Sequence, residues 1–483
     1  MPREGVRTRV APSPTGDPHM GTLYAALFCK AFAEKHNGTF ILRIEDTDRT
    51  RYVPEAVEAL YDALHWAHLD PDESPLVGGP YGPYIQSERL PIYHELAQRL
   101  VTTGHAYPCF CTPERLTALR AEQEARREPT RYDRHCLYLP QDEVQQRLRA
   151  GEPHTIRLRI PDHGPVTFHD VIRGTVSFET SVLTDHILLK SDGYPTSHLA
   201  IPADDHSMHI SHVIRAEEWL SSVPYYVLIY RAFEWAEPIF AHLSVLRNAD
   251  RSKMSKRKNN TSVRWYREHG FLPEAVLNFL ALLGWSHPQG EEIFSYEGFR
   301  DLLTLERIVK SGPIFDLKKL EWMNGVYIRR LSTGELAHRL QPFLSHPVQR
   351  ETLERILPLV QERLKTLCDI NDALLPFLQE PDPLHLPFAQ AIKRLTLQDI
   401  RRGLELLYPQ LAALGTPDAL TFEQIIRSLA AELGWKAGDL FMAVRIAVTG
   451  TNASPPLYDF CDVIGWPHAF KRLQSAIESL PAH

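Results

Sequence analysis

Two segments far apart in the chain carry residue types that suit chemistry on a nucleoside triphosphate. The first, residues 12–22, reads Pro-Ser-Pro-Thr-Gly-Asp-Pro-His-Met-Gly-Thr and places His19 between Gly16 and Gly21. It follows a short apolar stretch at residues 6–11 and precedes apolar residues at helical spacing over residues 21–36, which predicts a strand, a tight turn and a helix. The N-terminus of a helix presents unpaired N–H groups and the positive end of the helix dipole, which suits phosphate groups. His19 is thereby a candidate for contact with a phosphate oxygen.

The second segment is a basic run over residues 247–258, with six lysine and arginine side chains and one carboxylate. Taken alone, such a run is typical of a solvated loop. It contains no glycine, so it does not predict a Walker-type phosphate cradle. Lys253 and Lys256 are instead candidates for counter-charges to a leaving pyrophosphate. Together with the His19 segment, they indicate adenylate formation from ATP.

Three carboxylates, Glu45, Asp46 and Asp48, follow the strand predicted at residues 39–44. Ligands of parallel α/β sheets bind beyond the carboxyl ends of the strands. Carboxylates at a strand end are equally typical of turns and caps. Both interpretations stay open on the residue pattern alone.

Three of the six cysteines, Cys109, Cys111 and Cys136, lie close together in the sequence. In a reducing compartment, three thiols near a fourth donor predict a tetrahedral zinc site rather than disulfides. His135 and Tyr138 are the neighbouring candidates for the fourth ligand. The alternative is that Cys109 and Cys111 pack as small apolar residues.

Length and composition limit the class of protein. A chain of 483 residues with 43% hydrophobic and 23% charged residues predicts a globular protein of three to five domains. No apolar run is long enough to span a bilayer, and the proline-rich N-terminal stretch does not resemble a signal peptide. The net charge of −7 argues against indiscriminate coating of nucleic acid but leaves room for a local basic face that binds RNA.

The residue pattern changes along the chain in three stages. Residues 1 to about 95 alternate short strands with amphipathic helices, which predicts a parallel sheet flanked by helices. An insertion follows to about residue 191, and the sheet is predicted to resume at 186–190. Beyond about residue 330 the apolar residues recur at helical spacing, and Pro358 is expected to start or kink one of these helices.

These segments resemble the class I aminoacyl-tRNA synthetases, and within them the glutamyl-tRNA synthetase family. Variants of the family patterns His-Ile-Gly-His and Lys-Met-Ser-Lys-Ser stand at residues 19–22 and 253–257. Four further segments stand in the family's order: Arg-Val-Ala-Pro-Ser-Pro-Thr-Gly at 9–16, Arg-Ile-Glu-Asp-Thr-Asp at 43–48, Gly-Tyr-Pro-Thr at 193–196, and Val-Ile-Arg-Ala-Glu-Glu at 213–218. The resemblance covers essentially the whole chain.

The resemblance implies an α/β fold with a Rossmann-type parallel-sheet nucleotide-binding core. An inserted α+β domain would bind the tRNA acceptor stem, and a C-terminal all-helical region would bind the anticodon. The expected boundaries are 1–95 and 192–245 for the two halves of the catalytic domain, 96–191 for the insertion with its zinc site, 246–330 for the basic loop and stem-contact domain, and 331–483 for the helical region.

The implied function is ligation of glutamate to tRNA(Glu) for protein synthesis. ATP and glutamate form glutamyl-adenylate, and the 3′-terminal adenosine of the tRNA then takes the glutamyl group. ATP is expected with Mg²⁺, and one structural Zn²⁺ per chain would occupy the cysteines. A monomer without a membrane partner is also expected, and the lack of a spanning run and of a signal peptide makes the cytoplasm the expected location.

The resemblance also implies roles for individual residues. His19, Lys253 and Lys256 are expected to stabilise the transition state. Arg9 would clamp the side-chain carboxylate of glutamate, and Arg215 its α-carboxylate. The expected contacts to glutamate are Arg9, Ala11, Ser13, Glu45 and Arg215, and those to ATP are His19, Gly21, Glu218, Leu246, Lys253, Met254, Ser255, Lys256 and Arg257.

Three further positions bear on specificity and metal binding. Ser197 stands where the family usually has a tyrosine, which leaves a non-catalytic RNA-binding paralogue as an alternative. Tyr138 stands at the position of the histidine that binds zinc in some family members. Arg363 resembles the arginine that reads the last anticodon base in strict members. If it is only a solvated arginine, the alternative is an enzyme that also charges the glutamine-accepting tRNA.

Overall fold

A computed structural model describes residues 5–254 and 260–482 of the chain. The chain divides into two compact units. The first comprises Met1–Glu268 and Pro273–Leu320, and the second comprises His269–Leu272 and Glu321–His483. None of the described helices combines the length and the apolar character that a membrane span requires.

The first unit combines strands with helices. Its described strands are β1 (Arg7–Val10), β2 (Thr39–Leu42), β3 (Ala106–Cys109), β4 (Thr155–Leu158), β5 (Pro165–Asp170), β6 (Gly174–Glu179), β7 (Ile187–Leu189), β8 (His212–Ala216) and β9 (Ile239–Leu243). Its described helices are α1 (Met20–Lys35), α2 (Glu55–Trp66), α3 (Leu90–Thr102), α4 (Pro113–Ala125), α5 (Gln141–Arg149), α6 (Ser197–Ser207), α7 (Val223–Ala232), α8 (Val263–Glu268), α9 (Pro273–Gly284) and α10 (Tyr296–Leu302).

Strands β1 and β2 are parallel, with Arg9 opposite Ile41, and helix α1 makes the crossover between them. All four residues of β1 are buried, as expected of a parallel strand covered on both faces. The Ser211 N–H donates to the Arg7 carbonyl at 3.0 Å and so joins the start of β1 to the start of β8. The carboxyl ends of β1 and β8 therefore lie side by side.

A second sheet has the strand order β6-β5-β9-β8. Strands β8 and β9 are parallel, and their register places Arg215 opposite His242. Strand β5 is also parallel to β9, with Asp170 opposite Phe240, and forms an antiparallel hairpin with β6. This register brings polar side chains of β5, β9 and β8 together beneath the cavity described below.

One sequence prediction about the sheets is wrong. Residues 186–190 are predicted to resume the parallel sheet, but β7 instead pairs antiparallel with β4, in a three-stranded sheet of order β3-β4-β7. A short apolar run specifies a strand but not its partner, because pairing depends on contacts with distant segments.

Among its described residues the second unit contains helices and connecting loops but no strand, in agreement with the prediction for this region. Its helices are α11 (Leu317–Arg330, which begins in the first unit), α12 (Thr333–Leu340), α13 (Arg350–Val360), α14 (Ile370–Leu378), α15 (Phe388–Ala391), α16 (Leu397–Ala412), α17 (Ala419–Glu432), α18 (Ala437–Thr449), α19 (Leu457–Ile464) and α20 (Trp466–Ser479). Pro358 does not start α13 but lies inside it, and the helix ends within one turn after it. A proline removes an N–H donor and so favours an early helix end.

Candidate active site

A cavity of about 310 Å³ lies at the carboxyl ends of β1 and β8. This is the edge at which parallel α/β sheets bind ligands. Every described residue assigned above to glutamate or ATP lines it: Arg9, Ala11, Ser13, His19, Gly21, Glu45, Arg215, Glu218, Leu246, Lys253 and Met254. The remaining three assigned residues, Ser255, Lys256 and Arg257, lie outside the described residues.

His19 is the N-cap residue of helix α1. Its Nδ1 accepts a hydrogen bond from the N–H of Gly21 at 2.9 Å. A neutral imidazole that accepts at Nδ1 carries its proton on Nε2, which is then a donor. A Cβ atom at position 21 would lie 3.2 Å from His19 Nδ1, so glycine permits this close approach. The arrangement gives the cavity wall a fixed imidazole at a helix N-terminus, where an anion is favoured.

The described part of the basic segment closes another side of the cavity. Lys253 forms an ion pair with Glu218. The N–H of Met254 donates to the carbonyl of Leu246 at 2.9 Å, and both of these side chains are buried. The segment therefore supplies an apolar surface and one lysine that is balanced by a carboxylate.

Arg9 reaches the cavity from β1, but part of its guanidinium is already paired. Its Nε and Nη2 donate to the two carboxylate oxygens of Asp205 at 3.0 and 3.1 Å. Arg43 donates to the same carboxylate at 2.7 Å. Burial alone would raise the pKa of Asp205, but the charges of the two arginines outweigh it and hold the pKa below its usual range. Asp205 thus fixes the orientation of Arg9 and leaves fewer of its donors for a ligand.

Glu45 follows β2 and has a buried carboxylate in the cavity wall. It accepts one hydrogen bond from Arg43 Nη2 at 3.0 Å. Burial raises the pKa of Glu45 despite this nearby positive charge. A further cation at this position, such as an ammonium group, would favour the ionised carboxylate.

Arg215 is the third charged group at the base of the cavity. Unlike Arg9 and Lys253, it is not paired with a carboxylate of the described chain. It is buried between the rings of Tyr226 and Trp219, with its guanidinium carbon 5.0 and 5.7 Å from the ring centres. Its Nε donates to His242 Nε2 at 3.1 Å. Within the described ranges no carboxylate lies at salt-bridge distance from it, and burial lowers its pKa. A buried guanidinium in this state favours an anionic ligand.

A separate cluster of sulfur atoms, formed by Cys109, Cys111 and Cys136, lies at the end of β3. The three Sγ atoms lie within 4.8 Å of one another, and those of Cys111 and Cys136 are 3.5 Å apart. A tetrahedral zinc ion with bonds of about 2.3 Å to sulfur requires sulfur atoms about 3.8 Å apart. The cluster therefore fits the dimensions of a zinc site, although Cys109 and Cys136 also pack against apolar neighbours.

Tyr132, a residue that the sequence pattern does not single out, also reaches this sulfur cluster. Its Oη lies 3.3 Å from Cys109 Sγ, 3.4 Å from Cys111 Sγ and 3.0 Å from the backbone nitrogen of Cys136. The side chain of Tyr138 is 74% exposed, and His135 is exposed as well. The turn at residues 135–138 directs Cys136 inward and Tyr138 towards solvent, so Tyr138 and His135 do not approach the sulfur cluster in this structure.

Comparisons with known proteins show which family the chain is similar to. The family model described as "tRNA synthetases class I (E and Q), catalytic domain" matches residues 5–322, and that of an anticodon binding domain matches residues 335–477. A glutamate–tRNA ligase of Thermus thermophilus is 45% identical, over 98% of this chain and 100% of that protein. The chain belongs to the glutamate–tRNA ligase family.

Other family members extend the comparison. A glutamate–tRNA ligase of Acinetobacter baumannii is 44% identical over 99% of this chain and 94% of its own length. The crystal structure of a glutamate tRNA ligase from Elizabethkingia meningosepticum, in complex with its amino acid, superposes with a TM-score of 0.92 at 36% identity. It covers 99% of this chain and 100% of that chain. The chain is therefore an aminoacyl-tRNA synthetase of class I, a class that uses ATP with Mg²⁺.

Ser197, the position that departs from the glutamate–tRNA ligase pattern, lies at the start of α6. It lines a second cavity, of about 560 Å³, together with the stacked rings of His186 and His198. It is not among the described residues that line the first cavity, where α6 contributes Ile201 instead. In this structure Ser197 therefore lines the second cavity and lies outside the described lining of the first, which includes Arg9 and Glu45.

Arg363, in the helical unit, is exposed, and its Nη2 donates to the carbonyl of Ser454 at 2.6 Å. Arg445 Nη1 donates to the same carbonyl at 2.9 Å. The charge of Arg363 helps to lower the pKa of Arg445, after the larger effect of burial. Two guanidinium groups on one carbonyl oxygen make a positive site that suits a nucleic acid.

Sequence reasoning missed four residues that complete these sites: Asp205, Arg43, His242 and Tyr132. Arg43 lies within the family segment at 43–48, and Asp205 lies between those at 193–196 and 213–218, so their charges were a usable signal. His242 lies in an apolar strand, and Tyr132 lies in a polar, arginine-rich stretch. Neither position carries a local pattern that indicates its contact.

Proposed function

We propose that this enzyme ligates glutamate to tRNA(Glu) for protein synthesis. The observation that carries the proposal is the single cavity lined by all described residues assigned to glutamate and ATP. In the first step, an oxygen of the α-carboxylate of glutamate attacks the α-phosphorus of ATP, and pyrophosphate leaves. In the second, a hydroxyl of the terminal adenosine attacks the carbonyl carbon of the adenylate, and AMP leaves. Mg²⁺ accompanying ATP would offset phosphate charge during the first step.

The protein contributes positioning and electrostatic stabilisation in this scheme. His19 would donate from Nε2 to a phosphate oxygen. Lys253 and Lys256 would offset the charge of the leaving pyrophosphate, and Lys253 would exchange its ion pair with Glu218 for the phosphate. Leu246 and Met254 would provide the apolar surface on which the adenine packs.

Recognition of glutamate would depend on three buried charged groups. Arg215, which has no carboxylate in contact within the described chain, would bind the α-carboxylate. Glu45 would hold the ammonium group with help from Ser13. Arg9 would bind the side-chain carboxylate with the donors that Asp205 leaves available. The side-chain amide of glutamine would place an NH₂ donor against the N–H donors of Arg9, so neither would be paired and glutamine would be rejected.

We expect Arg9→Gln to lower kcat/KM for glutamate by about 1.5–3 kcal/mol, the range for a hydrogen bond to a charged group. The preference over glutamine should shrink in parallel, because the clash between donors disappears. Charging kinetics with both amino acids measure these effects. Arg7→Gln is the matched control. Arg7 lies on β1 like Arg9 and forms an equivalent ion pair, with Glu73, but it does not line the cavity. A loss shared equally by both variants would contradict the assignment of Arg9.

The amino-acid activation step can be tested separately. We expect glutamate-dependent exchange of labelled pyrophosphate into ATP in the presence of tRNA(Glu), because the resemblance implies that activation requires tRNA. The same assay without tRNA(Glu) tests that requirement. Exchange under neither condition would support a non-catalytic RNA-binding protein instead. We further propose that the enzyme is a monomer in the cytoplasm. Light scattering, which measures its mass in solution, tests the monomeric state.

For tRNA selection, we propose that Arg363 reads the last anticodon base. Arg363→Gln should reduce discrimination between tRNA(Glu) and tRNA(Gln) by about 1–3 kcal/mol, the value of one direct base contact. Competitive charging with the two purified tRNAs measures this ratio. Arg350→Gln, an exposed arginine of α13 that pairs with Glu354, is the control. An unchanged ratio in Arg363→Gln would show that this arginine does not read the anticodon base.

We also propose one structural Zn²⁺ at the sulfur cluster, with Tyr132 Oη as the fourth ligand. The ion would hold the end of β3 against the turn that contains Cys136 and so stabilise the inserted region. The phenol group of Tyr132 would lose its proton on binding zinc, as a coordinating thiol does. The same donors in a metal-free protein would contribute only their packing and hydrogen bonds.

Elemental analysis of protein purified without chelator should find about one zinc per chain. Cys136→Ser should lose the metal. The Tyr132→Phe variant should lose zinc to a chromogenic chelator at least about 10- to 100-fold more readily, because loss of even an outer-shell partner of a ligand has that effect. Tyr138→Phe serves as the matched control and should bind like the parent. A fully active metal-free preparation would contradict the zinc site, and loss in Tyr138→Phe but not Tyr132→Phe would contradict this ligand assignment.

A further inference from the structure

A chain of hydrogen bonds runs from the base of the cavity across three neighbouring strands. Arg215 on β8 donates from Nε to His242 Nε2 on β9 at 3.1 Å. His242 Nδ1 lies 2.6 Å from Asp170 Oδ2 on β5. The side chains of His242 and Asp170 are completely buried. Neither residue lines the cavity, and neither has a role in the chemistry described above.

The partners of Asp170 show that it can only accept hydrogen bonds. Oδ1 accepts from the N–H groups of Ile172 and Arg173 at 2.9 and 2.7 Å. Oδ2 accepts from the backbone N–H of His242 at 3.0 Å, in addition to the ring nitrogen. Burial acts to raise the pKa of Asp170, but the hydrogen bond from His242 and the neighbouring donors lower it overall. The carboxylate is therefore ionised.

These contacts determine which ring nitrogen of His242 carries the proton. Nδ1 must donate to the Asp170 carboxylate, and Nε2 must accept from Arg215, whose guanidinium has only donors. Burial is the main cause that lowers the pKa of His242, to about 4, so the ring is neutral near pH 7. In the other tautomer, an N–H group at Nε2 would face the N–H group of Arg215.

We propose that Asp170 and His242 are positioning residues that aim Arg215 at the substrate carboxylate. The inference rests on the proposed function, in which Arg215 binds glutamate. Asp170 fixes the tautomer of His242, and His242 then holds the Nε edge of the guanidinium. The terminal nitrogens of Arg215, of which Nη2 also donates to the Trp219 carbonyl at 3.5 Å, are thereby directed towards the ligand.

The two arginines at the base of the cavity, Arg9 and Arg215, are held by different kinds of acceptor. Arg9 is oriented by direct contact with a carboxylate, that of Asp205, which also offsets its charge. Arg215 is oriented by a neutral imidazole, and the carboxylate of Asp170 lies one residue farther away. A neutral acceptor fixes the geometry of a guanidinium without competing with an incoming anion. This explains how Arg215 can be both ordered and available to a ligand.

The test uses tRNA charging by the full-length enzyme at saturating ATP and tRNA. His242→Leu removes the acceptor for Arg215 and should raise KM for glutamate about 10- to 100-fold, as expected for a buried hydrogen bond to a charged group. KM for ATP should change little. His242→Gln offers an oxygen to Arg215 and an NH₂ group to Asp170, so it should recover most of the loss. His212→Leu, on β8 with its ring packed against Phe32, is the matched control.

Two further measurements separate positioning from general damage to the fold. In an Arg215→Gln background, His242→Leu should add no further increase in KM for glutamate, because the residue it holds is gone. Asp170→Asn should shift the His242 proton towards Nε2. Nitrogen-15 spectra of histidine-labelled protein detect this shift, with His242→Gln identifying the signal.

The outcomes distinguish this inference from the proposed function. A parent enzyme that charges no tRNA with glutamate would overturn both. A parent that does so, with KM for glutamate unaffected by His242→Leu, would overturn the positioning role alone. Equal and additive losses in both Arg215 backgrounds would also overturn it, since they would show that His242 acts on the fold and not through Arg215.

Discussion

We expect Arg215→Gln to lower kcat/KM for glutamate by about 2–5 kcal/mol, the cost of removing one partner from a buried pair of charges. The reason is that Arg215 is buried, carries no contacting carboxylate among the described residues, and would bind the group that reacts. Since glutamate and glutamine share the α-carboxylate, the preference between them should stay near that of the parent. Steady-state charging with each amino acid measures both quantities.

Arg215→Lys is the companion variant, because it keeps the charge but loses the planar fork and should recover only part of the activity. KM for ATP should remain near the parent value in both variants. If Arg215→Gln instead abolished the preference for glutamate over glutamine, the roles of Arg215 and Arg9 would be exchanged. An unchanged kcat/KM for glutamate would remove Arg215 from the site.

We expect His19→Ala to lower the activation rate by about 10²–10³-fold, the typical loss of one transition-state donor. The hydrogen bond from Gly21 to Nδ1 leaves Nε2 as the donor on the cavity wall. ATP binding should be largely preserved, because the helix N-terminus and the basic segment remain. Single-turnover formation of the adenylate measures this rate.

His19 also caps α1, so stability must be separated from catalysis. His19→Asn is suited to this, because asparagine is a favourable N-cap but has no donor at the position of Nε2. It should unfold at a temperature close to that of the parent and still show the loss in rate. Adenylate formation by His19→Asn at the parent rate would remove His19 from the chemistry.

Local patterns in the sequence predicted the elements around the cavity well. The strand predicted at residues 6–11 is Arg7–Val10, and the helix predicted at 21–36 is Met20–Lys35. Apolar spacing and turn residues specify such elements because they reflect contacts within a few positions of the chain. The α/β core and the helical C-terminal region are confirmed.

Contacts between distant segments were not predictable from these patterns. Asp205 meets Arg9 across 196 positions, and Tyr132 meets Cys109 across 23. The β7 strand was assigned to the wrong sheet for the same reason, since its apolar residues fit either partner. The orientation of Arg9 and Arg215 therefore became visible only when tertiary contacts placed Asp205 and His242 beside them.

Charging of purified tRNA(Glu) and tRNA(Gln) with glutamate or glutamine tests the central claim most directly. The account predicts that tRNA(Glu) is charged with glutamate, with glutamine disfavoured by up to ~10⁴–10⁵-fold, as expected where a polar group would be left unpaired. It also predicts that tRNA(Gln) is a poor acceptor. Equal charging of both tRNAs would contradict the assigned tRNA specificity, and no charging of either with glutamate would contradict the account as a whole.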